Sequence, residues 1–203
     1  MAVKREGGRV ARYDHKTALI VVDVQNDFAH PKGNLYVSGG EEVVPLINEE
    51  ITAAQAAGAP VFYTQDWHPD STPHFEKDGG IWPVHCVRDT WGAQFHPDLK
   101  VAGDVVRKGT GGEDGYSGFT VRDPESGSES ETGLDEMLRT RDVTDVVVAG
   151  LATDYCVKET VLDARRKGFG VTAPRDAMRA VNLKPGDGEQ AIQEMERAGA
   201  RLE

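Results

Sequence analysis

Cysteine is nearly absent from this sequence: only Cys86 and Cys156 occur in 203 residues. Two thiols cannot staple a secreted scaffold, so a reducing, cytoplasmic setting is expected and each thiol needs its own explanation. No apolar run approaches the roughly 18 residues that a membrane-spanning helix requires, so no membrane partner is expected. Positive charge is also in short supply. With 23 Lys and Arg against 34 Asp and Glu, the net charge is -11, and most of the surface should repel phosphate backbones. Nucleic acid is therefore not an expected partner. The first sixteen residues, MAVKREGGRVARYDHK, are basic but lack the apolar centre of a secretory signal. They read as a flexible tail with room to dock at its end, which leaves 17–203 as a single domain with one core.

What the chain does have is alternation. TALIVVDVQ (17–25) is a nearly continuous β-branched run, the pattern of a strand buried on both faces of a parallel sheet. Residues 39–58 place apolar positions at helical spacing and end in Gly58, and a second strand spans 60–66. The pattern recurs with strands at 103–109, 143–151 and 169–174, helices at 133–141, 153–167 and 187–199, and a short edge strand in the final ARLE. These elements predict an α/β fold, a doubly wound and mostly parallel sheet of about six strands with helices on both faces. In such sheets ligands bind at the carboxyl ends of the strands. Asp23, Asp66, Lys108 and Cys156 all fall at or just past such ends.

Two segments break the alternation. Residues 67–100 are rich in His, Pro and Trp, and their aromatic content argues for an ordered, functional loop. RDPESGSESETG (122–133) is polar and acidic and reads as a solvated surface excursion.

Cys156 sits in AGLATDYCV, where a strand turns into a helix with Thr153 or Asp154 as the expected N-cap. The positive end of a helix favours the thiolate. A small residue packing the helix onto the sheet is the alternative reading. Lys108 at a strand end would hold both a thiolate and the Asp23 carboxylate in their charged forms; otherwise it is a solvated lysine and Asp23 a loop cap. The loop adds Asp66, His68, His74 and His85 within twenty residues. One carboxylate with imidazoles suits a divalent Zn, Fe or Mn ion, although exposed histidines are common. Cys86, directly after His85, is expected to be a buried spectator, with a fifth ligand as the alternative.

Taken in order, IVVDVQNDF, QDWH, HF, WPVHC, RKG with GYSGF, and GLATDYCV resemble the motifs of nicotinamidases within the isochorismatase-like cysteine hydrolases. The likeness covers roughly 18–180. It implies a triad of Cys156 as nucleophile, Asp23 as general base and acid, and Lys108 as electrostatic partner. It further implies a divalent transition metal, zinc first, held by Asp66, His68 and His85 with His74 as a further ligand. Phe28, Trp82 and Tyr116 resemble the family's aromatic pocket wall. Leu151 and Ala152 resemble a pair joined by a cis peptide bond beside an oxyanion hole formed at Ala152 and Cys156. Tyr155 stands where many members with this metal set have histidine, and substrate preference depends on it. The implied activity is hydrolysis of a heteroaromatic amide, nicotinamide and also pyrazinamide, with a role in NAD salvage. Other hydrolases of the same fold, acting on carbamoyl or ureido amides, and a catalytically silent binding protein are the alternatives. Homo-oligomers are common in this fold, and no stripe in the sequence identifies an interface.

Overall fold

The computed structural model describes residues 12–203. In chain order the elements are β1 (Thr17–Val22), α1 (Asn26–Ala29), α2 (Val43–Ala56), β2 (Val61–Asp66), β3 (Asp104–Lys108), β4 (Thr120–Arg122), β5 (Glu129–Glu131), α3 (Leu134–Arg139), β6 (Asp145–Leu151), α4 (Lys158–Arg166), β7 (Gly170–Ala173), β8 (Met178–Arg179), α5 (Asp187–Arg197) and β9 (Arg201–Leu202). The main sheet has seven strands, in the order β3-β2-β1-β6-β7-β9 with β8 joined to β6. All its pairings are parallel. β4 and β5 form a separate antiparallel hairpin.

β1 shows why the sheet is buried on both faces. Leu19 and Val21 pack with Val44, Ile47 and Ile51 of α2 on one side. Ile20 and Val22, pointing the other way, pack with Leu138 of α3, Val161 of α4 and Met195 of α5. Each such side chain, removed from water, stabilises the fold by about 1.5–3 kcal/mol. The continuous β-branched run is therefore the sequence signature of a three-layer sandwich with the sheet in the middle.

The strand order reverses between β1 and β6, and this is where the loops after the two strands diverge and leave a crevice. The two strands approach closely at Gly150, paired with Val22, where an added Cβ would lie 2.1 Å from the Val22 carbonyl oxygen. Gly150 has φ +131°, so glycine is required here both for space and for conformation.

The structure corrects several sequence-based expectations. The sheet has seven strands rather than about six, because the two-residue β8 is too short for a periodic pattern to reveal. β1 ends at Val22, since Asp23 turns to φ +49° and leaves the ladder. The expected helix over 153–167 begins with a wide turn, Thr153–Val157, in which the N–H of Val157 donates to the carbonyl of Ala152. Neither Thr153 nor Asp154 caps it; the Asp154 carboxylate instead accepts the N–H groups of Val181 and Asn182. Of the tail expected over 1–16, residues 1–11 lie outside the described residues. Within its remainder Tyr13 is buried and donates to Glu50 at 2.6 Å, while Arg12 pairs with Glu50 and Glu203.

The loop over 67–100 is stitched to α1 and to β3 by its backbone. Asn26 and Asp27 donate to Gln94 and Gly92, and Trp67 donates to Lys108. Among the described residues no helix is long and apolar enough to cross a membrane.

Candidate active site and metal centre

Three strand ends bring the reactive groups together. Asp23 follows β1, Lys108 ends β3, and Cys156 lies in the wide turn after β6. The Lys108 side chain is fully buried, and its ammonium stands 2.8 Å from Asp23 Oδ2, 2.5 Å from Asp66 Oδ1 and 3.8 Å from Cys156 Sγ, and also donates to the Gly115 carbonyl. Ligand-type atoms of Asp23, Asp66 and Cys156 all lie within 4.8 Å of one another. Asp23 Oδ1 accepts the Thr64 hydroxyl at 2.7 Å, which fixes the carboxylate from its far side.

Asp66 connects this group to the histidines. Its Oδ2 lies 3.7 Å from His68 Nε2, and His68, His74 and His85 present ring nitrogens within 4.8 Å of one another, all buried. The fit to a metal ion rests on the state of these nitrogens. Both ring nitrogens of His68 are buried with no hydrogen-bond partner. Such orphaned groups are costly unless something else engages them. His85 directs Nδ1 at the Pro83 carbonyl, 2.7 Å away, and so keeps Nε2 as a free lone pair. Burial pushes His85 down to about 3, so the ring is neutral and able to ligate at physiological pH. Cys86 is no part of the cluster: its N–H donates to Asp27 and its sulfur lies near the Gly92 carbonyl.

The charges of the triad follow from burial set against Lys108. Burial raises Asp23 to about 6, opposed by the Lys108 ammonium and reinforced by Asp66. Burial works against Asp66 as well, but Lys108 and His68 hold that carboxyl well below the usual range. Burial disfavours the ammonium of Lys108, yet Asp23 and Asp66 hold it well above its ordinary value. Burial pushes the Cys156 thiol well up, with Lys108 opposing. Burial, reinforced by the Asp23 and Asp66 carboxylates, outweighs the Lys108 ammonium, so the thiol is raised where a helix end alone would lower it, and the resting sulfur carries its proton.

A crevice opens above these groups, and Cys156, Asp66, His74 and His85 reach it from below. Its walls are the aromatic residues expected from the sequence. Phe28 tilts against His85 at 5.3 Å, Trp82 meets Tyr155 edge-on at 4.9 Å, and the Trp82 indole N–H donates to the Tyr116 hydroxyl at 2.8 Å. Leu151 and Ala152 line the floor, and the peptide bond between them is cis. The Ala152 N–H finds no acceptor among the described residues.

A family model described as the Isochorismatase domain matches residues 17–203. The chain belongs to the isochorismatase family. Among isochorismatase-family relatives, the Escherichia coli nicotinamidase is 39% identical, over 91% of this chain and 93% of that protein. The pyrazinamidase of Pyrococcus horikoshii, solved in complex with zinc, is 40% identical with a TM-score of 0.82, covering 93% of this chain and 98% of that one. A neighbour from L. infantum, solved in complex with nicotinate, is 35% identical with a TM-score of 0.84, covering 93% of this chain and 92% of that one.

Several residues of this isochorismatase-family site were not singled out from the sequence. Thr64 holds Asp23, and the Gly115 carbonyl accepts from Lys108. Gln25 bonds the Asp66 backbone through both ends of its amide, donating to the carbonyl and accepting the N–H. Asp27 accepts the N–H groups of Asn34 and Cys86 and so anchors the histidine loop. Gln25 and Asp27 lie within the motif IVVDVQNDF and Gly115 within GYSGF, whereas nothing in the sequence marks Thr64.

Proposed function

We propose that this protein is an amidohydrolase that converts nicotinamide to nicotinate and ammonia, and accepts pyrazinamide. The single observation that carries the reading is the shared crevice: Cys156 with the Asp23 carboxylate and the Lys108 ammonium beside it, next to a cluster of three buried histidines. The kinship with nicotinamidases at 39% identity supports the same reaction.

Ionised Asp23 accepts the Cys156 proton as the sulfur attacks the carboxamide carbon. Lys108 holds the Asp23 carboxylate in place and offsets the negative charge that the transfer leaves in the site. The N–H groups of Ala152 and Cys156 receive the developing oxyanion. Asp23 returns its proton to the departing ammonia, leaving a thioester on Cys156. Asp23 then deprotonates the water that hydrolyses it. Phe28, Trp82, Tyr116 and Tyr155 enclose a flat ring, and Leu151 seals the floor, so an aromatic amide is oriented with its carbonyl carbon over the sulfur. His68, His74 and His85, with Asp66 beside them, would hold a divalent transition metal ion, zinc above iron or manganese. Such an ion supplies Lewis acidity toward a ring nitrogen. An amidase of this kind serves NAD salvage in the cytoplasm.

The deciding experiment is ammonia release from nicotinamide and pyrazinamide by the wild type and by Cys156→Ala. We expect turnover in the first and none in the second, with equal melting temperatures. Undiminished release from Cys156→Ala would sink the mechanism.

A further inference from the structure

The loop from Lys108 to Tyr116 carries a carboxylate with no part in the chemistry above. Asp114 Oδ1 lies 2.7 Å from His74 Nδ1. A carboxylate only accepts, so the neutral imidazole carries its proton on Nδ1 and is left with Nε2 as its one lone pair. His85 has the same tautomer for the same reason, through the Pro83 carbonyl. The two anchors differ in kind. Pro83 offers a neutral backbone oxygen, whereas Asp114 offers a charged side chain, 28% exposed, at the edge of the site.

Asp114 is held from its own backbone. Its N–H donates to the Arg122 carbonyl at 2.8 Å and its carbonyl accepts the Arg122 N–H at 2.9 Å, at the turn end of the β4–β5 hairpin. The two loops are also stitched beside it: the Thr72 hydroxyl donates to the Gly112 carbonyl at 2.7 Å and accepts the His74 N–H at 3.2 Å. The exposed acidic hairpin thus fixes the carboxylate that fixes the histidine.

We propose that Asp114 is a positioning residue for the metal centre, setting the affinity of the histidine cluster for a divalent transition metal ion by fixing the tautomer and orientation of His74. A charge-assisted hydrogen bond of this kind holds the ring more firmly than a neutral one, as carboxylates behind ligating histidines do. This inference rests on the reading of His68, His74 and His85 as metal ligands.

The test measures zinc affinity by competition with a chromogenic chelator, with no substrate present, together with the visible absorption of the cobalt(II) form. Asp114→Ala keeps the backbone pairing with Arg122 and is expected to bind zinc about 10–100-fold more weakly, with a shifted cobalt band. Asp114→Asn retains an acceptor for Nδ1 but not the charge, and its affinity should fall between Asp114→Ala and wild type. Glu113→Ala makes the same charge change one residue away, where the side chain bonds only the Gly111 N–H, and should match wild type. A residue that merely braced the loops would lower the melting temperature of the metal-free protein and leave the cobalt spectrum unchanged. Wild-type affinity and spectrum in Asp114→Ala overturn the proposal while leaving the metal reading intact. If Asp114→Ala does not fold, wild-type values in Asp114→Asn overturn it instead. A wild-type protein that binds neither zinc nor cobalt removes the metal reading and this proposal together.

Discussion

Lys108 Nζ and Asp66 Oδ1 meet at 2.5 Å across the register that pairs these two positions of β3 and β2. This contact joins the two halves of the site. On one side Lys108 faces Asp23 and Cys156, and on the other Asp66 faces His68.

Replacing Lys108 with Met keeps the volume and removes the charge. Two carboxylates would then share a buried space with no cation between them, a change that costs about 3–5 kcal/mol when one partner of a buried pair is lost. Denaturant unfolding of Lys108→Met should show that loss, and ammonia release should vanish. A fully stable, inactive variant would mean that Lys108 acts in catalysis alone.

Asp23 titrates at about 6, above its ordinary 3.8. As a base it works only when ionised, so kcat/KM should fall on acidification with a limb near pH 6. Stability moves in the opposite sense. Because the folded value is the higher one, the favourable contribution of Asp23 is complete below about pH 3.8 and is lost as pH rises through about 6. Asp23→Asn mimics the protonated form, so at pH 7 it should be at least as stable as wild type while turnover drops by about 10²–10⁴. Wild-type turnover in that variant would exclude Asp23 as the base.

Trp82→Phe retains a ring in the wall and deletes the donor to the Tyr116 hydroxyl. A neutral hydrogen bond contributes about 0.5–1.5 kcal/mol, so KM for nicotinamide should rise by about 2–10-fold with kcat little changed. A fall in kcat at constant KM would place Trp82 in the chemistry instead of the wall.

Stripping divalent ions with a strong chelator should lower both activity and melting temperature, since an ion present at 100 times its Kd contributes about 2.7 kcal/mol. The stripped protein has a defined pH response. His85 is held at about 3 in the fold, below its ordinary 6.5, so its contribution is present above pH 6.5 and is lost as pH falls through about 3. Measured in the Asp23→Asn background, which removes the opposing response of Asp23, unfolding free energies across that window should decline toward acid, and a flat profile would contradict the burial of a neutral His85.

The parts of the fold that depend on local pattern were readable in advance. A β-branched run marked β1, because a strand buried on both faces tolerates little else. The wide turn around Cys156 was not readable, because its shape comes from Asp154 bonding Val181 and Asn182, nearly thirty positions away in the chain. Asp114 was equally hidden: nothing near it in sequence shows that it faces His74 across two loops.

The sequence by itself determined the parallel α/β architecture, the strand ends that carry Asp23, Lys108 and Cys156, and the set of histidines available to a metal. Only the tertiary structure decided that Lys108 lies between two carboxylates, that the resting sulfur keeps its proton, and that Asp114 aligns His74. Protonation and orientation depend on burial and on partners brought together by folding, and these are properties of space that spacing along a chain does not encode.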